Sequence, residues 1–203
     1  MQFSQKGMNN LQCLLKRPVI TQLTKMTGCV YIFGGAITDA LFCLKTPIVK
    51  IFSFDDINFE KMSFHWEEVK YKNMFGETND PICWKYIENG ITYLLFTKKS
   101  INDTLHKEIV NPDDILLLGT FNYEMIYIPT STTEMHGSNE FMTFMERKLI
   151  SLSHNKKLES SIVSSAIKAS KRYKYPFDTK LAKEVSMFCK SIKKTQPMDL
   201  FKK

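Results

Sequence analysis

The sequence has no long hydrophobic run. None of its 203 residues belongs to a stretch of about 18 uncharged apolar residues, so no membrane-spanning helix is predicted. The first ten residues, MQFSQKGMNN, also lack the apolar core of a secretory signal. We therefore expect a cytoplasmic protein that has no membrane partner.

Paired cysteines and metal-binding spacings are also missing. Cys13, Cys29, Cys43, Cys83 and Cys189 are odd in number, far apart and never in a C-x-x-C pair. This pattern favours reduced thiols over disulfides or a zinc site. The four histidines show neither H-x-x-x-H nor H-E-x-x-H spacing. Metal binding through sulfur or imidazole is therefore not predicted.

The chain carries a formal net charge of +7, which is unevenly distributed. Residues 1–150 contain 15 Lys and Arg against 17 Asp and Glu, whereas residues 151–203 contain 13 against 4. A basic segment of this kind is typical of nucleic-acid-binding proteins, because Lys and Arg release the counterions condensed on phosphates. A solvated, lysine-rich helical region is the alternative. With 43% hydrophobic residues, the chain is apolar enough to fold.

A strand, a glycine turn and a helix are predicted in succession near residue 34. Residues 29–33 are strand formers, Gly34-Gly35 follows, and residues 36–44 have helical composition. Such a turn exposes backbone N–H groups that suit phosphate oxygens. A tight connection without a ligand is the alternative.

Apolar spacing and turn residues predict the other elements. Pro18 divides the helical spacing of residues 9–27, and the Asn89-Gly90 pair predicts a hairpin. Further strands are predicted at 48–59, 82–87 and 91–96, and helices at 141–152, 158–167 and from Asp178 onward.

These elements predict the α+β fold class, with a mixed sheet and helices followed by a basic C-terminal helical region. The character of the chain changes to helical beyond Ser138. We therefore expect two domains, at residues 1–137 and 138–203.

The segment VYIFGGAITDALFCL, residues 30–44, resembles the opening signature of the DNA polymerase beta-type nucleotidyltransferase superfamily, in its CCA-adding and bacterial poly(A) polymerase branch. That signature is a hydrophobic strand, Gly-Gly, a small residue, a hydrophobic residue, Arg, Asp and apolar residues. The matching positions are Gly34, Gly35, Ala36, Ile37, Asp39 and Leu41. Thr38 stands where the family has arginine. The resemblance implies a head domain that acts on or binds RNA such as tRNA.

The resemblance also implies which residues would form the site. Gly34, Gly35 and Asp39 would bind a nucleoside triphosphate, and an Asp-x-Asp on the next strand would hold two Mg²⁺ ions. At the family's usual spacing the chain offers IVKIF, residues 48–52, without a carboxylate. With a longer turn, Asp56 becomes the catalytic metal ligand and Asn58 replaces the second aspartate. Asparagine supplies only a neutral oxygen, so either alignment weakens the metal site.

Three functions therefore stay open. The first is a degenerate nucleotidyltransferase fold that binds RNA with weakened or lost chemistry, needing no cofactor. The second is an active, template-independent RNA nucleotidyltransferase that uses Mg²⁺ and NTP. The third is a protein-interaction module without nucleic acid.

Two C-terminal features point to partners. Lys168, Lys171, Arg172 and Lys174 are predicted to form a stripe that contacts RNA phosphates. In the tail, residues 196–201 resemble the short terminal peptides that bind the hydrophobic pocket of DNA sliding clamps, which suggests a protein partner. The alternative is that the apolar tail residues fold back onto the helices.

Overall fold

Within residues 3–71, 81–105, 108–153 and 158–195, which the computed structural model describes, seven strands form one mixed sheet. The strands are β1 (Tyr31–Phe33), β2 (Ile48–Ser53), β3 (Glu67–Lys70), β4 (Ile82–Glu88), β5 (Ile91–Thr97), β6 (Ile126–Pro129) and β7 (His136–Gly137). Their order across the sheet is β3-β4-β5-β2-β1-β6-β7. β2 and β5 are parallel, and every other adjacent pair in this sheet is antiparallel.

Seven α-helices and three short 3-10 helices accompany the sheet in the described residues. The α-helices are α1 (Gln5–Leu15), α2 (Pro18–Thr27), α3 (Gly35–Leu41), α4 (Lys98–Leu105), α5 (Asn139–Arg147), α6 (Ser160–Tyr173) and α7 (Thr179–Thr195). The 3-10 helices span Phe59–Lys61, Pro112–Leu118 and Asn122–Glu124. This architecture confirms the predicted α+β class with a mixed sheet and C-terminal helices. None of the described helices is long and apolar enough to cross a membrane.

Two hydrophobic cores cover the two faces of the sheet. In β2, Val49 and Ile51 point into the larger core, which also receives side chains from α1, α2, α3, α5, α6 and α7. Phe52 belongs to the smaller core, which contains Ile101 of α4 and Ile115 of the second 3-10 helix. Residues on both sides of position 137 contribute to the larger core. The division into domains at residues 1–137 and 138–203 stays a prediction.

Local sequence signals explain where several helices begin and end. Pro18 takes the first position of α2 after Arg17 in extended conformation, so the predicted break is confirmed. Asp178 accepts a hydrogen bond from the Leu181 backbone N–H at 2.7 Å, and α7 begins one residue later, close to the predicted start. α5 ends at Arg147 because Lys148 adopts a left-handed conformation, so the predicted helix over 141–152 is too long.

The predicted strand over residues 55–59 is wrong. β2 ends at Ser53, whose hydroxyl accepts a hydrogen bond from the Asp55 backbone N–H at 3.2 Å and turns the chain. The Asn58 side chain then accepts from the Glu60 backbone N–H at 3.1 Å, which starts a 3-10 helix. Short polar side chains that bond to the nearby backbone compete here with the sheet.

The predicted hairpin is confirmed. β4 and β5 pair antiparallel, with Glu88 opposite Ile91. Asn89 and Gly90 between them have φ angles of 50° and 73°, the pair of left-handed conformations that a type I′ turn requires.

Replacing Gly90 with alanine is expected to lower the free energy of unfolding by about 1 kcal/mol, because a Cβ is disfavoured in the left-handed region. For a chain of this size this corresponds to a fall in Tm of about 2–4 °C. Asn89→Gly, which relieves the same conformational cost at the adjacent position, is the matched control and should not lower Tm. Thermal unfolding followed by circular dichroism measures both, and equal Tm values for Gly90→Ala and the unaltered protein would contradict this description of the turn.

Candidate functional site

The glycine turn connects β1 to α3 through a backbone conformation that only glycine adopts readily. Gly34 has φ 79° and ψ −155° and stands at the N-cap of α3. Its backbone N–H donates to the Ile126 carbonyl at 2.9 Å, which fixes the turn against β6. The predicted strand, glycine turn and helix are thereby confirmed.

A cleft with a volume of about 230 Å³ opens beside this turn. Gly35 and Asp39 of α3 line it on one side, and Lys50 of β2 on another. The ionisable side chains that line it are Asp39, Lys50, Tyr71, Tyr123, Glu124, Arg172 and Tyr173. Two carboxylates and two cations therefore meet in one small space.

Asp39 forms the first ion pair of the cleft. Its Oδ1 accepts from Arg172 Nε at 2.7 Å and from the Tyr173 hydroxyl at 2.9 Å. Arg172 also donates to the Lys45 carbonyl oxygen, so it joins α6 to the segment before β2. Burial raises the pKa of Asp39, and the hydrogen bond and charge of Arg172 oppose that shift.

Lys50 and Glu124 form the second ion pair, with 3.2 Å between Nζ and Oε1. Both side chains are mostly buried, with exposed fractions of 15% and 13%. Burial by itself lowers the pKa of Lys50, but the attraction of Glu124 and Tyr71 outweighs it, so the pKa is raised and the ammonium stays charged. The second Glu124 oxygen accepts from the backbone N–H groups of Thr120 and Phe121 at 3.1 and 3.3 Å.

Thr38 occupies the position where the resembled signature has arginine. It is fully buried, and its hydroxyl donates to the Tyr123 carbonyl at 2.7 Å. Thr38 therefore ties α3 to the 3-10 helix that carries Glu124. The arginine of the family signature has no counterpart at this position.

The structure brings together only part of the predicted nucleotide site. Gly34, Gly35 and Asp39 lie at the glycine turn and its cleft. The prediction that Asp56 and Asn58 lie on the strand beside this turn is wrong, because that strand is β2, which ends before them. Asp56 lines a different cavity of about 370 Å³, and Asn58 caps a 3-10 helix. The catalytic roles of Asp56 and Asn58 and the metal-binding role of Asp56 stay predictions.

The predicted basic stripe divides into two kinds of residue. Lys168, Lys171 and Lys174 are exposed, and Lys174 ends α6 in a left-handed conformation. Arg172 is half-buried and directed into the cleft by its bond to Asp39. Contact of these residues with RNA stays a prediction. The tail at 196–201, predicted to bind a protein partner, lies outside the described residues.

Sequence reasoning did not single out Lys50 and Glu124, nor the three tyrosines that line the cleft. The only signal for Lys50 was a charge within the otherwise apolar run IVKIF. Glu124 lies 74 residues further along the chain, and nothing local connects it to Lys50. The position of Glu124 beside Lys50 depends on the order of strands in the sheet.

Known proteins share the fold of this chain. No family model and no curated protein matches its sequence. A CCA-adding enzyme with CTP superposes on 97% of the chain with a TM-score of 0.60 and 14% identity, and 49% of that enzyme is covered. A Thermotoga maritima CCA-adding enzyme complexed with tRNA matches 97% of the chain with a TM-score of 0.61, 13% identity and 48% of its own length covered.

A tRNA-processing enzyme with CTP matches in the same way, with a TM-score of 0.59 over 86% of the chain, 12% identity and 48% of its own length covered. The chain thus spans about half the length of these enzymes and has the fold of that half. The predicted structural resemblance to CCA-adding enzymes is confirmed at the level of the fold.

Gly34→Ala is expected to lower the free energy of unfolding by about 1–3 kcal/mol, because its backbone conformation is strained for any residue with a Cβ. Space is not the cause, since the nearest atom to an added Cβ would be 3.8 Å away. Gly35→Ala is the matched control: its Cβ would meet Tyr123 at an ordinary 3.5 Å without a positive φ. Urea unfolding measures the free energy of unfolding of both variants. Equal losses in the two variants would contradict the strain assigned to Gly34.

Glu124→Gln is expected to destabilise the protein by about 3 kcal/mol, because it leaves the Lys50 ammonium buried without a counter-charge. The double variant Lys50→Met with Glu124→Gln removes both charges and should recover most of that loss. Urea unfolding of the single and double variants measures the coupling. A double variant that is no more stable than Glu124→Gln would show that the ion pair does not account for the loss.

Proposed function

We propose that this chain is a nucleotidyltransferase-fold protein that binds RNA and has lost metal-dependent nucleotide transfer. One observation carries the proposal: β2, the strand beside the glycine turn, directs Lys50 into the cleft and pairs it with Glu124. The resembled family uses carboxylates on this strand to hold metal ions. The Lys50 ammonium on β2 carries a charge opposite to that of those carboxylates.

The residues of the cleft do not suit Mg²⁺. This ion requires anionic oxygens that are free to coordinate it. Asp39 and Glu124 are the carboxylates among the lining residues described above, and each already binds a cation, at 2.7 and 3.2 Å. The register partner of Lys50 on the parallel strand β5 is Leu94, which adds no oxygen ligand. No group of three or more His, Cys, Asp or Glu in the described part of the chain is arranged to hold a metal ion.

RNA is the partner that the charge distribution supports best. The C-terminal quarter of the sequence is strongly basic, and Lys168, Lys171 and Lys174 are exposed on or next to α6. Arg172 is the exception, because its charge is engaged by Asp39. A similar solved structure is complexed with tRNA, which makes tRNA the first RNA to test.

The direct experiment combines RNA binding with nucleotide incorporation. A tRNA transcript is incubated with the full chain, Mg²⁺ and labelled CTP or ATP, and the products are examined by mobility shift and by denaturing electrophoresis. We expect a shifted complex and no incorporation. Mg²⁺-dependent incorporation would contradict the loss of chemistry and support an active transferase, whereas the absence of a complex would contradict the RNA assignment and favour a protein-interaction module.

A triple variant with glutamine in place of Lys168, Lys171 and Lys174 should bind tRNA more weakly. The slope of log K against log salt concentration should decrease by about 2–3 units. The matched control replaces Lys25, Lys61 and Lys70 by glutamine, since these lysines are also exposed and their replacement removes the same charge elsewhere. Binding is measured by fluorescence anisotropy at several salt concentrations. Identical slopes for the two triple variants would show that α6 makes no phosphate contacts.

A further inference from the structure

A further concave site lies next to the segment that leads into β2. Its volume is about 290 Å³, and it is bordered by α1, the end of α3 and the β4–β5 hairpin. We call it the Arg17–Lys45 basin, after the two cations that line it together with Asn10, Thr46 and Asn89. No carboxylate is among its described lining residues, which distinguishes it from the neutralised cleft.

Arg17 is anchored in this basin by a buried partner. Its Nη1 donates to the Tyr93 hydroxyl at 3.0 Å, and Tyr93 is fully buried, so the guanidinium has a fixed anchor. Its Nε is buried and has no hydrogen-bond partner in the described structure. A guanidinium has five N–H donors and its charge favours an anionic acceptor. Neither Arg17 nor Lys45 forms an ion pair with a carboxylate in the described part of the chain.

The remaining polar lining suits an oxyanion. Asn10, Thr46 and Asn89 offer neutral amide and hydroxyl donors beside the two positive charges. Phosphate contacts in nucleic-acid complexes are made by this combination of Arg or Lys with Asn and Thr side chains. The basin therefore has the chemistry of a phosphate site and not of a cation site.

The basin and the cleft are joined through one short stretch of chain. Lys45 and Thr46 line the basin, while Pro47 and Ile48 line the cleft. The Lys45 carbonyl accepts from Arg172, which holds Asp39 in the cleft. The two sites therefore adjoin each other at residues 45–48.

We propose that the Arg17–Lys45 basin binds a backbone phosphate of the RNA as the RNA passes the cleft. This inference rests on the proposed RNA-binding function, and it adds a contact site far from the basic stripe of α6 in the sequence. The basin holds the phosphate through charge and hydrogen bonds, so it reads no base sequence.

The test measures tRNA affinity against salt for Arg17→Gln with Lys45→Gln in the full chain. We expect affinity to fall about tenfold at 100 mM salt and the slope of log K against log salt to decrease by about 1–2 units. Lys45→Gln alone should give about half of the slope change, and it keeps the Arg17–Tyr93 hydrogen bond if the double variant is unstable. Lys25→Gln with Lys61→Gln, two exposed lysines outside the basin, is the matched control.

The outcomes separate this inference from the proposed function. If the unaltered protein binds tRNA and both basin variants keep its affinity and salt slope, the basin assignment is overturned while RNA binding stands. If the unaltered protein does not bind tRNA, both are overturned. Direct binding of labelled CTP identifies the phosphate source: basin variants that lose CTP binding but keep the tRNA affinity and salt slope of the unaltered protein would assign the basin to a free nucleotide and overturn the RNA contact.

Discussion

The burial of one ammonium group organises the cleft. Lys50 lies on β2, between β1 and β5 in the sheet, and its charge is balanced by Glu124 from the segment before β6. The other oxygen of Glu124 binds two backbone N–H groups, so the same carboxylate also shapes the turn that carries it. Because an unpaired buried charge is costly, this pair joins the central strands to the segment that contains Tyr123.

The features that the sequence predicted correctly depend on local chemistry. The Asn89-Gly90 hairpin, the break at Pro18 and the glycine turn at Gly34 each follow from backbone preferences of one or two residues. The cleft depends instead on contacts between distant segments, such as Lys50 with Glu124. The family resemblance with a longer turn places Asp56 on the strand of the site, but polar side chains turn the chain away from the sheet after Ser53.

The fold and the chemistry of the cleft lead to different conclusions about function. The fold is shared with about half the length of each CCA-adding enzyme described above, yet a fold alone does not carry an activity. Inside the cleft the two carboxylates are balanced by two cations. Arg17 and Lys45, which have no such partners in the described residues, lie outside it, at the Arg17–Lys45 basin. This distribution suits a surface that holds a polyanion better than a centre that binds metal ions.

The most direct measurement of the central claim is Mn²⁺ binding, followed by electron paramagnetic resonance of the free ion, in the unaltered protein and in Asp39→Asn. Mn²⁺ serves as a substitute for Mg²⁺ because both ions prefer oxygen ligands. Because Lys50 and Arg172 neutralise the carboxylates of the cleft, we expect identical titrations for the two proteins. One or two bound Mn²⁺ ions in the unaltered protein that disappear in Asp39→Asn would contradict this expectation.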